Sequence, residues 1–252
     1  PGRQMNLGSS RLYLPPRAFA TVEGGPSPYL YAENPDYNIG RAWHLDFPWL
    51  SDQYLHLWDG QAYVIKWNGN QFENHDGEHF VLSRACLPAC RYELFTKSGI
   101  DYSFDVQRRL AQIADTTNNN LITFTYGFYG ISEITDTIGR KVTFAYNGDG
   151  TIQSLTSGSQ VVTYGYATVG GLRVLQSVRD SLNRETLFEY TDARNAYLLT
   201  AVRYPTGART NFTWSNPSVQ IGPDLTAYYV TRQDTLNAQG QSIRANVLDY
   251  TV

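Results

Sequence analysis

The sequence predicts an all-β protein made of antiparallel β-hairpin repeats that form a curved or spiralling sheet. Three observations predict it. Aromatic residues make up 14% of the chain, 19 of them Tyr, and charged residues only 17%. That balance suits pleated surfaces, where rings pack against cross-strand neighbours, more than solvated helices. Second, closing aromatics recur at Tyr126, Tyr146, Tyr166, Tyr190 and Trp214, 20, 20, 24 and 24 residues apart, each with another ring two residues earlier (Phe124, Phe144, Tyr164, Phe188, Phe212). Third, an apolar pair three residues apart precedes each closing strand: Leu110/Ile113, Ile131/Ile134, Ile152/Leu155, Leu175/Val178, Leu199/Val202. A period in this range marks a repeat architecture, in which no single unit buries its apolar face alone.

Taken in order, residues 1–42 read as an extended arm rich in Pro and Gly, with Leu14-Pro15-Pro16 and Gly24-Gly25-Pro26-Ser27-Pro28; such runs punctuate regular structure and lie on something else. Residues 43–95 read as an aromatic-rich β-meander, with strands at Tyr54–Trp58, Gln61–Trp67, Asn70–Glu73 and His79–Ser83. Asp59-Gly60 and Asn68-Gly69 are its two-residue hairpin turns. Arg91–Thr96 and Ile100–Asp105 flank Lys97-Ser98-Gly99 and form a further hairpin. The repeats occupy 96–214. Val106–Ala114 is the best helix candidate in the chain, and the repeat places a strand there instead. In the clearest repeat, Asp136–Gly139 is a turn, Asp supplying a side-chain acceptor for its own backbone and Gly accepting positive φ. Lys141–Tyr146 then alternates, Val142, Phe144 and Tyr146 on one face. Asn118, Gly139, Gly158, Asn183 and Gly207 hold corresponding turn positions. Residues 215–252 read as degenerate strands or a cap, with strands at Tyr228–Arg232 and Val247–Val252 and a turn at Leu236–Gln241.

The aromatic columns share one face. The other carries Thr123/Thr125, Thr143/Ala145, Thr163/Gly165, Leu187/Glu189 and Asn211/Thr213. One face is therefore expected to be packed and the other wet.

The pattern of an apolar residue, Ile or Val, then Asp-x-x-Gly-Arg and a strand closing on Tyr resembles the YD repeat of Rhs proteins, which also occurs in teneurins and in the B–C component of Tc toxins. Asp136, Gly139, Arg140 and Tyr146 match it best, and Asp180, Asn183, Arg184 and Tyr190 nearly as well. The third copy has Thr156 or Ser157 where the Asp would stand. The fifth is degenerate, with Tyr204 for Asp and Trp214 for Tyr. The resemblance covers about residues 96–214. It implies a long β-sheet that spirals into a hollow shell, of which this chain would be part. Residues 43–82 resemble the segment that leads into such repeats. Toxin-encapsulating members carry a C-terminal autoproteolytic segment with a Pro-…-Asp-Pro-x-Gly pattern, and this sequence has no match to it. The implied partners are the remainder of a longer Rhs-type polypeptide or other copies of the chain, in a secreted or cell-surface setting. A start at Pro1, with Met5 the one methionine, fits an internal piece or a processed product.

Candidate chemistry is sparse. The net charge is −3 with no block of like charge, which favours neither nucleic acid nor an anionic membrane, and no apolar run reaches the length of a spanning helix. Cys86 and Cys90 lack the further ligands of a zinc site and the spacing of a redox pair. A local disulfide and two free thiols both fit, the disulfide being preferred for an extracellular chain. His75-x-x-Glu78-His79 matches a zinc-peptidase pattern that needs a helix, which Gly77 opposes. Asn147-Gly148-Asp149-Gly150 lacks the distal Glu of a calcium loop and reads as a turn. Asp46, Asp52 and Asp59 are glycosidase carboxylates only if folding pairs them. Asn211-Phe212-Thr213 is a formal glycosylation sequon inside a strand. Trp43, Trp49, Trp58 and Trp67 are candidate ligand-stacking aromatics for carbohydrate or a receptor. The preferred expectation is a non-enzymatic structural piece with no cofactor and no metal; a carbohydrate- or receptor-binding module and a glycan-directed enzyme are the alternatives.

Overall fold

The computed structural model describes residues 9–11, 39–40, 43–45, 47–51, 54–57, 62–72, 80–86, 89–115, 120–194, 198–215, 219–222 and 225–248. Among them the regular elements are strands, and no helix is long and apolar enough to cross a membrane. The N-terminal part holds β1 (Ser9–Arg11), β2 (Trp43–Leu45), β3 (Trp49–Leu50), β4 (Tyr54–His56) and β5 (Ala62–Val64). Then come β6 (Trp67–Asn68), β7 (Gln71–Phe72), β8 (Phe80–Cys86), β9 (Cys90–Thr96), β10 (Ile100–Phe104), β11 (Leu110–Asp115) and β12 (Leu121–Tyr126). The repeats continue as β13 (Ile131–Asp136), β14 (Lys141–Tyr146), β15 (Ile152–Ser157), β16 (Gln160–Val169), β17 (Leu172–Arg179), β18 (Glu185–Glu189), β19 (Ala201–Arg203) and β20 (Arg209–Trp214). The last four strands are β21 (Val219–Gly222), β22 (Leu225–Ala227), β23 (Val230–Leu236) and β24 (Ser242–Val247).

The fold class is the expected one. Strands β6 to β20 pair in sequence order, each antiparallel to the next, and the sheet continues through β23 and β24. Turns therefore alternate between two rims. No register joins β24 to β6 among the described residues, so the sheet is curved and not closed. The aromatic columns from Phe124 to Phe212 belong to the single core or pack on it, and Trp214 is also buried. Thr123, Thr125, Thr143, Thr163 and Thr213 are exposed on the other face.

The apolar pairs three apart need explaining, because a plain strand repeats every two residues. A bulge lies between the members of each of the first four pairs. Tyr126 faces Ile131 while Thr125 faces Glu133, leaving Ser132 over. Gln153 and Gln176 are left over in the same way beside Tyr146 and Tyr166, and Ala111 beside Phe104. One extra residue restores the inward direction after three steps rather than two. Ile131 and Ile134 are accordingly both buried, as are Ile152 and Leu155.

Several expectations about elements are corrected. Residues 43–82 do not form one meander. β3, β4 and β5 make a separate three-stranded sheet, β2 pairs with β1, and only β6 onward joins the main sheet. The turn at Asn68-Gly69 is shifted by one: Asn68 pairs with Gln71, and the loop is Gly69-Asn70 with Gly69 at φ 63°. That places Gly first in the loop, as a type II′ turn requires. The tail is less degenerate than its sequence: β23 pairs directly with β20, and β24 ends at Val247. The repeat is interrupted there by the small β21–β22 hairpin, which separates strands that are neighbours in space.

The N-terminal segment fills the concave face. Ile39, Trp43, Leu45, Leu50 and Leu55 share one core with Leu94, Ile134, Leu175 and Val202 of the sheet. Gly40 (φ 94°) lies so close to β17 that an added Cβ would stand 2.8 Å from the Leu175 backbone nitrogen. Phe47 meets Phe124 edge-on at 5.0 Å between ring centroids.

Candidate functional site

The signature residues of the repeat do not converge on a site. They close their own hairpins. Asp136 Oδ1 accepts the backbone N–H of Ile138 (3.1 Å) and of Arg140 (2.9 Å), while Oδ2 accepts the Arg140 guanidinium at 2.6 Å. Asp180 repeats this with Leu182 and Arg184. The fourth residue of each turn, Gly139 or Asn183, has positive φ, 81° and 59°. This is a three-residue hairpin loop, a type I turn followed by a left-handed residue. Burial raises the Asp136 carboxyl, but the Arg140 N–H and guanidinium and the Ile138 N–H outweigh it and hold the group below the ordinary carboxylate range. For Asp180 the Arg184 side chain is the leading cause of the same lowering.

The same turn occurs where the sequence hid it. Asp105 caps Gln107 and Arg109 with Arg108 at φ 63°, a left-handed position that the sequence reading reserved for Gly and Asn. Asn237 caps Gln239 and Gln241 with Gly240 at φ 80°. The signal was an Asp or Asn four residues before Arg or Gln. The third repeat, lacking its Asp, uses the shorter loop Gly158-Ser159 instead.

The closing aromatics form a second clamp. Tyr126, Tyr146 and Tyr166 donate their hydroxyls to the carbonyls of Leu110, Ile131 and Ile152 at 2.7, 2.7 and 2.8 Å. Trp214 donates its indole N–H to Leu199 O at 2.8 Å. The fifth repeat, degenerate by letter, thus keeps the bond, because Trp also offers a donor at the end of a ring. Each acceptor is the first member of an apolar pair, and for the three tyrosines it lies at the bulge. Burial raises the Tyr164 hydroxyl to about 12 and raises Tyr166 further, so both stay protonated and able to donate. Tyr190 is placed differently: its oxygen accepts the Trp43 indole N–H at 2.9 Å.

Of the candidate stacking tryptophans, Trp43 is buried, edge-on to Phe188 at 4.8 Å; it is part of the core rather than an open platform. Trp49 stacks flat on His56 at 3.5 Å. Trp67 is half-buried under the Arg84 guanidinium, 4.5 Å from the ring centre. Trp58, Asp46, Asp52, Asp59, His75, Glu78, His79 and Asn118 lie outside the described residues. Asp149 has its oxygens engaged by Thr151 and Arg173, and Asn147 donates to Thr151, so this loop is closed as a turn. Asn211 sits inside β20, opposite Ala201 and Asp234. Cys86 is disulfide-bonded and stands opposite Cys90 in the β8–β9 register. Among the described residues no group of His, Cys, Asp and Glu could hold a metal ion. A cleft at one rim, over Ile113, Leu121, Ile122 and Ile138, is edged by Asp136, already bound to Arg140, and Asp115, bound to Asn120.

No family model matches the chain, and no curated protein matches it in sequence. Among solved structures it is similar to the one titled "Crystal Structure of TcdB2-TccC3-TEV", with 11% sequence identity and a TM-score of 0.38; the match covers 77% of this chain and 14% of that one.

Proposed function

We propose that the chain is a non-enzymatic structural piece of a secreted or surface Rhs-type protein, supplying curved β-sheet to a shell, stalk or extracellular assembly. The observation that carries this reading is the clamp repeated from hairpin to hairpin, in which a ring-borne donor reaches back to the carbonyl of the first residue of the preceding apolar pair. The signature side chains are likewise used up in closing turns. Groups committed in this way define a backbone path rather than serve as acid, base or nucleophile. The concave face is filled by the chain's own N-terminal segment, which supports a packed wall over an open substrate channel. Its partners on this reading are the remainder of a parent polypeptide or further copies of the chain.

The test is twofold. The purified chain, incubated with a panel of plant and bacterial polysaccharides, is expected to release no product. In the parent protein, Tyr146→Phe combined with Tyr166→Phe is expected to render the assembly protease-sensitive. Saturable turnover of any polysaccharide, or an assembly indifferent to losing both hydroxyls, overturns the reading.

A further inference from the structure

Ten of the described carboxylates are satisfied inside the molecule. Glu133 pairs with Lys141, Glu185 with Arg179, Glu189 with Arg203 and Arg209, and Asp234 with Arg232. Asp149 pairs with Arg173 and Asp192 with Arg194. Asp105, Asp136 and Asp180 hold the arginines of their turns, and Asp115 holds Asn120. The two exceptions among the described residues are Glu93 and Asp101, and they are neighbours. Glu93 faces Ser103 across β9 and β10, and Asp101 lies two residues along from Ser103 on the same outer face. Asp101 Oδ1 is buried without a hydrogen-bond partner.

Their surroundings are apolar. One row of the outer face runs Val81, Phe95, Asp101, Ala114, Leu121 across β8 to β12. Val81 is 45% exposed and Phe95 42%, on a face otherwise rich in Thr, Ser and ion pairs. Arg91, on the same face two residues from Glu93, is exposed and pairs with no acid among the described residues. Burial, with Glu93 second, raises the Asp101 carboxyl above its ordinary value; the folded protein therefore holds this charge at a disadvantage, which a cation would relieve.

We infer that the outer face of β8–β10 is a docking surface for an arginine- or lysine-bearing extended protein segment, whose cationic heads pair with Asp101 and Glu93 and whose stems lie across Val81 and Phe95. A long basic side chain combines the two chemistries displayed here, an apolar stem and a charged head. The inference does not rest on the scaffold reading, and its test has no assembly readout in common with it.

The probe is a blocked Val-Arg-Val-Arg-Val peptide titrated into the whole chain and followed by amide NMR, with Val-Glu-Val-Glu-Val as control. Saturable shifts confined to β8–β10 are expected with the basic peptide only. They should weaken about tenfold or more in the Glu93→Gln, Asp101→Asn double variant, and also in about 1 M salt, where charges are screened beyond about 3 Å. Asp101→Asn alone should melt at or above wild type, because the carboxylate serves no internal contact. Four outcomes overturn the inference: no saturable shift, equal binding by the double variant, the same shifts from calcium chloride alone, or loss of stability in Asp101→Asn.

Discussion

At the scale of single residues, the closing rings matter for the donor they carry as much as for their area. Tyr146→Phe leaves the Ile131 carbonyl at a bulge without this partner, and is expected to lower stability by about 1–2 kcal/mol, the usual penalty for such an acceptor. Urea denaturation of Tyr146→Phe and Trp214→Phe checks this; the two losses should be similar, although one removes a hydroxyl and the other an indole. Glycines separate two causes in the same way. A Cβ at Gly139 would touch nothing within 4 Å, so Gly139→Ala measures the left-handed backbone alone, about 1–2 kcal/mol. Gly40→Ala adds a collision with the Leu175 backbone and should be clearly the more damaging in the same titration. The ring positions, the turn glycines and Asn183 could be read from the sequence because each follows from one residue type. Arg108 could not, since nothing in an arginine announces positive φ; its turn is held instead by the Asp105 cap and by a bond from Arg108 to Tyr92.

At the scale of elements, the hairpin is closed at one end by a carboxylate and at the other by a ring. The carboxylate end makes folding sensitive to acid. Asp136 and Asp180 have folded values below their unfolded ones, so their contribution is complete above about pH 4 and is lost as pH falls through the lowered folded values. Asp136→Asn with Asp180→Asn should therefore flatten the acid limb of a stability–pH curve while changing its shape little at neutral pH. A limb of unchanged steepness would place the acid sensitivity elsewhere. The β8–β9 hairpin has its own closure: thiol labelling of denatured, unreduced protein is expected to modify neither Cys86 nor Cys90. Strand existence and order were legible from periodicity, and the inward aromatic face with them. The bulges were present in the sequence only as an unexplained spacing of three. The error at residues 43–82 has a physical origin: aromatic density and turn residues report that strands exist, but not which sheet each joins.

At the scale of the whole molecule, the sheet and the N-terminal segment make one core. Their contact through Trp43 and Tyr190, 147 positions apart, is long-range and costly in loop entropy. Trp43→Ala should lower stability by about 3–5 kcal/mol. A cycle of Trp43→Phe and Tyr190→Phe should return a coupling of about 1 kcal/mol, assigned by denaturation of the four proteins. No sequence pattern joined these two residues, because the segment around Trp43 has no period of its own to match against the sheet. The candidate site was least legible of all: Glu93 and Asp101 look like ordinary surface acids until the registers show that their neighbours are apolar and that the other described carboxylates have partners.

The bulge and its ring clamp also bear on how such a chain could lengthen over generations. Everything that must keep step, from the acceptor carbonyl to the closing donor, lies inside one hairpin, whereas the stretch between a closing ring and the next apolar pair carries the extra length of the 24-residue units, as added strand between Tyr166 and Leu175. A duplication or unequal exchange whose break falls in a rim loop delivers an intact frame wherever it lands. The β21–β22 insertion, after which β23 resumes pairing with β20, shows that the sheet takes up extra chain between two paired strands without losing its order.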